Sequence, residues 1–274
     1  MTTRANATLA TVELSSDRSE MWGAERMASG ALIVNADDWG RDRPNTDRTL
    51  ECVLRGAVTS VSAMVFMEDS VRAAAIARES GVDAGLHLNL TTPFSMSGCA
   101  AKLADHQRRL DRYVRYRKFA SIVYHPVLTN SFEYVAAAQL EEFRRLYGAD
   151  ADRIDGHHHM HLCANVVLAR LLPQGTMVRR NFTFGAGEKN PFNRRYRQFI
   201  DGVLAKRHRL TDMFFSLPPM EPRRLERIFS AAGDHVVELE THPVNAAEHR
   251  FLAGGEIFDW AKVTKLQSFR SLAR

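Results

Sequence analysis

Short apolar, β-branched segments alternate with longer amphipathic segments along most of this sequence, and this alternation limits the fold more than any other feature. ALIVNADD, AVTSVSAMVF and VDAGLHLNL are typical of buried strands. FEYVAAAQLEEFRRLYG is typical of an amphipathic helix, because Val135, Phe143 and Leu146 fall on one face. About seven such units follow one another, which predicts parallel strands joined by helices and hence an α/β fold.

The chemistry-bearing residues fall at or near the ends of predicted strands. Asp37 and Asp38 end the first strand, His87 lies in the third, His157 in a histidine-rich segment and His242 at the end of the last. In a closed barrel the carboxyl ends of all strands ring one opening, whereas in an open doubly wound sheet the first and last of these residues would lie far apart. One site that uses them all favours a TIM-like (β/α) barrel, irregular and with about seven strands.

Length and composition fit one globular domain. The 274 residues include 45% hydrophobic and 25% charged residues, without an internal repeat or a linker. We expect residues 1–30, which are polar and rich in small residues, to form a loosely ordered extension, and residues 31–274 to form the single domain. We expect the C-terminal tail to be a helix that packs back on the body.

Cysteine content and charge limit the compartment and the partners. Three widely spaced cysteines without a CxxC pair argue against a disulfide framework and favour the cytoplasm. No apolar run approaches the roughly 18 residues of a membrane helix, so we expect no membrane insertion. The net charge is +5, and the basic residues within 108–118 favour a solvated helix face over an anion or nucleic-acid site. We therefore expect no nucleic-acid partner, and a homodimer is compatible with the sequence.

Two adjacent carboxylates end the first strand. Burying Asp37 and Asp38 together is costly unless a cation or a proton lies between them. Neighbouring strand residues face opposite sides, but both can reach one site where the chain leaves the sheet. Together with the histidines, this pair favours one metal ligand and one base over the alternative, a helix N-cap followed by surface charge.

Single histidines occur in two other predicted strands. His87 shares a strand face with Asn89, and alone it would more often be a hydrogen-bonded core residue than a ligand. His242 in VVELETHP shares a face with Glu238 and Glu240 and precedes a proline that stops the strand. His242 is either a proton donor facing the metal site or a cap at the strand end.

The segment DGHHHMHL holds four histidines within five positions, a density that favours a metal site over a stray histidine-rich loop. If the segment is extended, His157, His159 and His161 share one face and His158 points away. Asp155 or a neighbouring histidine can orient a metal-bound ring. One carboxylate and two histidines would suit a divalent ion and leave positions open for water.

Taken together, these motifs resemble the YdjC/ChbG-type carbohydrate deacetylase family, which includes the hopanoid-associated HpnK proteins. The resemblance rests on LIVNADDWG, GAVTSVSAMV, AGLHLNLT, AAAQLEEFRRLYG, IDGHHHMHL and ELETHP, which lie between residues 32 and 243. It implies a TIM-like barrel and metal-dependent removal of an acetyl group from an N-acetylated amino sugar.

The resemblance also implies roles for individual residues. Asp38, His87 and His157 match the ligands of one divalent ion, Mg²⁺ or Zn²⁺. Asp37 matches the catalytic base, and we assign His242 as the acid. We expect a further group to bind substrate or to support the ligands: Trp39, Asn89, His159, His161, Arg179 and Glu238. For Trp39, stacking on a sugar and packing in the core are equal alternatives.

Two other classes of function stay open. One is a different metal hydrolase, a phosphoesterase or an amidohydrolase, although these often carry H-x-H on the first strand, where this chain has Asp-Asp. The other is a non-catalytic sugar-binding relative, against which the full set of acids and histidines argues. The sequence contains no HExxH, P-loop or GxSxG motif, and GAGEKNPFN does not fit a dinucleotide site.

Overall fold

Seven parallel strands form one sheet in the structure, a computed structural model that describes residues 30–116, 119–185, 187–261 and 266–272. The strands are β1 (Ala31–Trp39), β2 (Ser60–Ala63), β3 (Asp83–Leu88), β4 (Arg153–Gly156), β5 (Met177–Val178), β6 (Met213–Ser216) and β7 (Val236–Thr241). Their order across the sheet is β5-β4-β3-β2-β1-β7-β6. The first strand, β1, therefore lies inside the sheet and pairs with both β2 and β7.

Helices join the strands and cover the outside of the sheet. In the described chain they are α1 (Arg43–Leu54), α2 (Ser70–Ser80), α3 (Ala101–Tyr116), α4 (Thr129–Tyr147), α5 (Ala164–Leu168), α6 (Pro191–Ala205), α7 (Pro222–Ala231), α8 (Ala246–Ala253), α9 (Glu256–Trp260) and α10 (Phe269–Leu272). Local signals set several of these boundaries. The Asp42 side chain caps α1 by accepting from Asn45 N, and α2 and α4 end at Gly81 and Gly148 in the left-handed conformation.

The sheet curls so that its two edges approach each other. An isolated parallel bridge joins Met177 of β5 to Arg209, just before β6, and Thr183 N donates to Phe214 O of β6 at 2.8 Å. The strands thus form a half-barrel flanked by helices, which confirms the expected irregular α/β barrel. As parallel strands require, their carboxyl ends lie at one end of the barrel.

The C-terminal tail packs on the opposite end of the barrel, as expected. Gln267 N donates to Leu32 O, and the buried ring of Phe269 packs with Ile33, Met177 and Val236. Except for its last residue, the predicted loosely ordered extension lies outside the described residues. The assignment of residues 31–274 to a single domain stays a prediction.

Candidate metal centre and catalytic site

A β-bulge at the end of β1 directs two neighbouring carboxylates into the barrel. Between Ala36 and Trp39, β1 contains one residue more than β2 over the paired interval. Asp38 has a φ of 64°, a left-handed conformation that is uncommon outside glycine. Both Asp37 and Asp38 are buried. The bulge explains how adjacent strand residues reach one site.

Three side chains from β1, β3 and the end of β4 converge beside this bulge. Asp38 Oδ1 lies 3.0 Å from His157 Nδ1 and 3.5 Å from His87 Nε2. Asp38 Oδ1 is buried and accepts no hydrogen bond of good geometry, which is costly for a carboxylate oxygen unless a cation lies against it. The oxygen and nitrogen donors suit a divalent ion, so these residues fit the metal that the sequence implied.

Asp155 orients His87 for this role. His87 Nδ1 lies 2.6 Å from Asp155 Oδ1, and both residues are buried, so Nε2 is left to face the metal centre. Burial would raise the pKa of Asp155, but Arg179 and His87 lower it to about 2. Asp155 therefore stays ionised at neutral pH and hydrogen-bonds to His87 rather than to a histidine of its own segment.

The histidine segment is not extended, so the expectation that alternate histidines share one strand face is wrong. β4 ends at Gly156, and His157–Leu162 forms a 3₁₀ turn in which His158 and His159 have φ values of 53° and 57°. A Cβ on Gly156 would lie 2.8 Å from His161 N, so the close approach of the turn to the strand requires glycine.

Of the four histidines in this turn, only His157 lies close enough to other possible ligands to share a metal ion with them, among the described residues. The others contact separate elements: His158 Nδ1 lies 2.9 Å from Thr91 Oγ1, His159 Nε2 lies 3.6 Å from Glu240 Oε1, and His161 Nε2 lies 2.9 Å from the Arg179 carbonyl oxygen. Burial lowers the pKa of His158 and His161 to about 4 and that of His159 to about 3. These three rings are therefore neutral at neutral pH.

Arg179 lies at the centre of a buried network of four carboxyl groups. Its Nη1 and Nη2 each donate to Asp37 at 2.7 Å, and its Nε donates to Glu238 Oε1 at 2.7 Å. Nη2 also lies 3.0 Å from Asp155 Oδ2, and Nη1 lies 3.4 Å from Glu240 Oε1. The single guanidinium thus offsets charge contributed by β1, β4 and β7.

Two carboxyl groups of this network, those of Asp37 and Glu240, have pKa values shifted in opposite directions. Burial would raise the pKa of Asp37, but Arg179 and His87 hold it well below its usual value. Burial and the charge of Asp37 raise the pKa of Glu240 well above its usual value. Asp37 is therefore ionised at neutral pH, whereas the surroundings of Glu240 favour its protonated form.

His242 and Glu240 bring one side-chain atom each to within 4.8 Å of Asp37. The backbone N of His242 donates to Glu248 Oε2 at 2.7 Å, which fixes the turn after β7. Because Arg179 already occupies the space between Asp37 and Glu240, this second group is a poorer metal site than the first. His242 lies within reach of the predicted base.

Two of the residues expected to bind substrate or to support the ligands, Trp39 and Asn89, lie in the protein interior. Trp39 is fully buried and its Nε1 donates to Ala73 O at 3.2 Å, which favours the core-packing alternative over stacking on a sugar. Asn89 is also fully buried. Its Oδ1 accepts from the N–H groups of Thr91 and Thr92, and its Nδ2 donates to Thr92 O. Asn89 thus closes the loop after β3.

The sequence reasoning missed several polar partners of the site. Asn35 donates to Asp37 Oδ1 at 2.8 Å, Ser62 donates to Asp155 Oδ2, and Arg41 Nη1 donates to Asp38 Oδ2 at 2.9 Å. Asn35 and Ser62 are polar residues within apolar strands, and that pattern is a signal that could have identified them.

Comparison with known proteins identifies the family. The sequence profile described as YdjC-like protein matches residues 31–262. The chain belongs to the YdjC-like family. A carbohydrate deacetylase of Clostridium beijerinckii is 28% identical over 197 residues, which is 71% of this chain and 73% of that protein.

Other relatives in this family match over shorter regions. A carbohydrate deacetylase of Mus musculus is 31% identical over 140 residues, 49% of this chain and 44% of that protein. A chitooligosaccharide deacetylase of Serratia marcescens is 30% identical over 132 residues, 48% of this chain and 50% of that protein. The chain therefore spans about half the length of these two relatives.

A solved structure shares the fold of this YdjC-like chain. A candidate cellobiose-phosphate cleavage protein of Enterococcus faecalis V583 superposes with a TM-score of 0.60, at 20% identity, over 88% of this chain and 98% of that chain. In addition, none of the helices in the described part of the chain is long and apolar enough to cross a membrane.

Proposed function

We propose that this protein is a metal-dependent hydrolase that removes the acetyl group from an N-acetylated amino sugar. The observation that carries the proposal is the buried, unbonded Asp38 Oδ1 beside His87 Nε2 and His157 Nδ1, next to the ionised Asp37. The relatives named carbohydrate deacetylase and chitooligosaccharide deacetylase support this substrate class.

Asp38, His87 and His157 would hold one divalent ion, Mg²⁺ or Zn²⁺. When bound, such an ion polarises the acetamide carbonyl and lowers the pKa of an attacking water. Three protein ligands leave coordination positions open for water and substrate. One ligand is already oriented before metal binds, because Asp155 fixes the ring of His87.

Asp37 is the proposed base that takes a proton from the attacking water. Its Oδ2 lies 3.9 Å from His87 Nε2, so this oxygen faces the metal centre, while Arg179 fixes the carboxylate by two hydrogen bonds. The lowered pKa makes Asp37 a weak base at neutral pH. The proton that Asp37 takes therefore leaves it readily and replaces the one that the acid gives to the departing amine.

His242 is the proposed acid. An amine is a poor leaving group unless it is protonated as the carbon–nitrogen bond breaks. The atoms of His242, Asp37 and Glu240 that lie within 4.8 Å of one another place an imidazole beside the base, where it can give its proton to the amine. The ion that Asp38, His87 and His157 would hold would supply positive charge to offset the negative charge that develops on the acetamide oxygen.

Release of acetate from a panel of N-acetyl sugars and sugar nucleotides tests this function, with single metals added back to metal-stripped protein. Asp38→Ala should lose both bound metal and acetate release, because it removes the carboxylate that the other ligands face. Asp83→Asn is the matched control, since Asp83 is also buried but lies at the start of β3, at the far end of the barrel. Release of phosphate instead of acetate, or a metal-loaded protein inert on every sugar, would overturn the proposal.

We also propose a cytoplasmic location. Cys52, Cys99 and Cys163 are all free thiols, as a reducing compartment favours. Cell fractionation tests the location. The homodimer stays a prediction, which light scattering of the purified protein tests.

A further inference from the structure

The connection between α3 and α4 exposes an unusual number of large apolar side chains. We call residues 119–127, together with Tyr116, the apolar segment. Six of its side chains are exposed, up to 72% for Tyr116 and 82% for Val127: Tyr116, Phe119, Ile122, Val123, Tyr124 and Val127. Exposed apolar residues scattered singly need no explanation, but a cluster of this kind marks an interaction site.

The backbone of the apolar segment is held in place rather than frayed. Ser121 O accepts from Ala164 N at 3.0 Å, and His125 exchanges two hydrogen bonds with the Asn165 side chain. The Ala120 side chain is buried against the body of the protein. The segment is thus anchored on α5 while its large apolar side chains face outward.

The helix that leads into this segment carries a strongly basic outer face. α3 buries Leu103, Leu110 and Val114 and exposes Arg108, Arg109, Arg112 and Arg115. Arg108 and Arg115 pair with carboxylates of α3 itself. Among the described residues, no carboxylate lies within salt-bridge distance of Arg109 or Arg112, so two guanidinium groups beside the apolar segment are available to an anionic partner.

The apolar segment and α3 lie near the opening of the candidate site. Thr91, in the loop that leads from β3 to α3, contacts His158 through its Oγ1 at 2.9 Å. Ala164, which binds Ser121 O, follows the histidine turn almost directly. A partner on this surface would therefore lie beside the barrel opening.

We propose that the apolar segment and the basic face of α3 dock this protein peripherally on an anionic lipid bilayer. Aromatic and aliphatic side chains next to unpaired guanidinium groups match the bilayer interface, where apolar groups enter the headgroup region and cations meet lipid phosphates and carboxylates. A second copy of the chain is a poorer partner, because two like-charged faces would meet. Docking of this kind requires no membrane-spanning helix.

Flotation of the full-length protein with lipid vesicles tests this proposal without any measurement of activity. We expect the protein to float with vesicles of mixed phosphatidylcholine and phosphatidylserine. With vesicles of pure phosphatidylcholine it should remain in the bottom fraction. High salt should weaken the binding, because salt screens the attraction between the arginines and the lipid.

Two variants separate the apolar and the ionic contributions. Ile122→Ser combined with Val127→Ser removes exposed apolar side chains, and Arg109→Glu combined with Arg112→Glu reverses two charges. Each pair should lower the apparent vesicle affinity at least about tenfold. Leu54→Ser is the matched control and should float like the unmodified protein, since Leu54 is equally exposed but ends α1.

Circular dichroism and thermal unfolding show whether each variant is folded, and only folded variants are compared. The proposal is overturned if the unmodified protein does not float, or if folded variants of both pairs float as well as it does. It is also overturned if light scattering shows a dimer that the Ile122→Ser and Val127→Ser pair converts to a monomer, because the segment would then bind a second copy. Each result is independent of whether the protein deacetylates sugars.

Discussion

Arg179 holds Asp37 by two parallel hydrogen bonds, from Nη1 to Oδ2 and from Nη2 to Oδ1, each 2.7 Å long. The two residues are 142 positions apart in the chain, and both are almost completely buried. A bidentate pair of this kind fixes both the orientation and the charge of the carboxylate. The predicted base is therefore positioned by a residue outside the metal ligands.

Replacing Arg179 should destabilise the protein. Arg179→Met leaves Asp37, Asp155 and Glu238 without their shared cation, and removing one partner of a buried ion pair costs about 3–5 kcal/mol. The free energy of unfolding, measured by urea denaturation, checks this value. Arg180→Met is the control, because the Arg180 side chain is partly exposed and binds a single carboxylate, that of Asp201, and two backbone carbonyl oxygens among the described residues, so its loss should cost clearly less. Equal losses would show that the network does not stabilise the fold.

Asp37→Asn should keep the metal and lose turnover. The amide preserves the size of the side chain but cannot take the proton of the attacking water, so kcat should fall by about 10²–10⁴-fold. Metal content by atomic spectroscopy and acetate release by a coupled assay give the two readouts. Full turnover in this variant would remove Asp37 from the mechanism.

Asp155→Asn should weaken the metal site without removing a ligand. His87 would lose the carboxylate that orients its ring, and such losses typically lower metal affinity by about 10–100-fold. Competition with a chelator measures the affinity. Asp152→Asn, an exposed change just before the same strand, should leave it unchanged. Unchanged affinity in Asp155→Asn would mean that His87 is not a ligand.

Gly156→Ala should disturb the histidine turn. The added Cβ would meet the backbone and ring of His161 at 2.8–2.9 Å, closer than real Cβ contacts. The turn would have to shift, and His157 would move with it, so both metal content and acetate release should fall. Gly202→Ala is the control, because nothing lies within 4 Å of its added Cβ. A Gly156→Ala protein with full metal content would show that the turn adapts.

The sequence by itself determined the alternation of strands and helices, and with it the irregular α/β barrel. It also brought Asp37, Asp38, His87 and the histidine segment together, because the carboxyl ends of parallel strands meet at one end of a barrel. The choice of His157 within that segment came from the resemblance to the deacetylase family. Apolar periodicity reports these features directly, since it depends on local sequence alone. Short elements are less visible in such a pattern, and β5, Met177–Val178, has only two residues.

The tertiary structure decided which way the site residues point. The extra residue in β1 and the positive φ of Asp38 direct the side chains of Asp37 and Asp38 into one site. A regular strand, in which side chains alternate between faces, would not predict the bulge or the positive φ. The left-handed His158 and His159 break the alternation that extended backbone would give. Arg179 can bind its four carboxyl groups only when β1, β4 and β7 are brought together in the folded sheet. Side-chain direction depends on backbone dihedral angles and on contacts between distant segments, which a linear pattern does not contain.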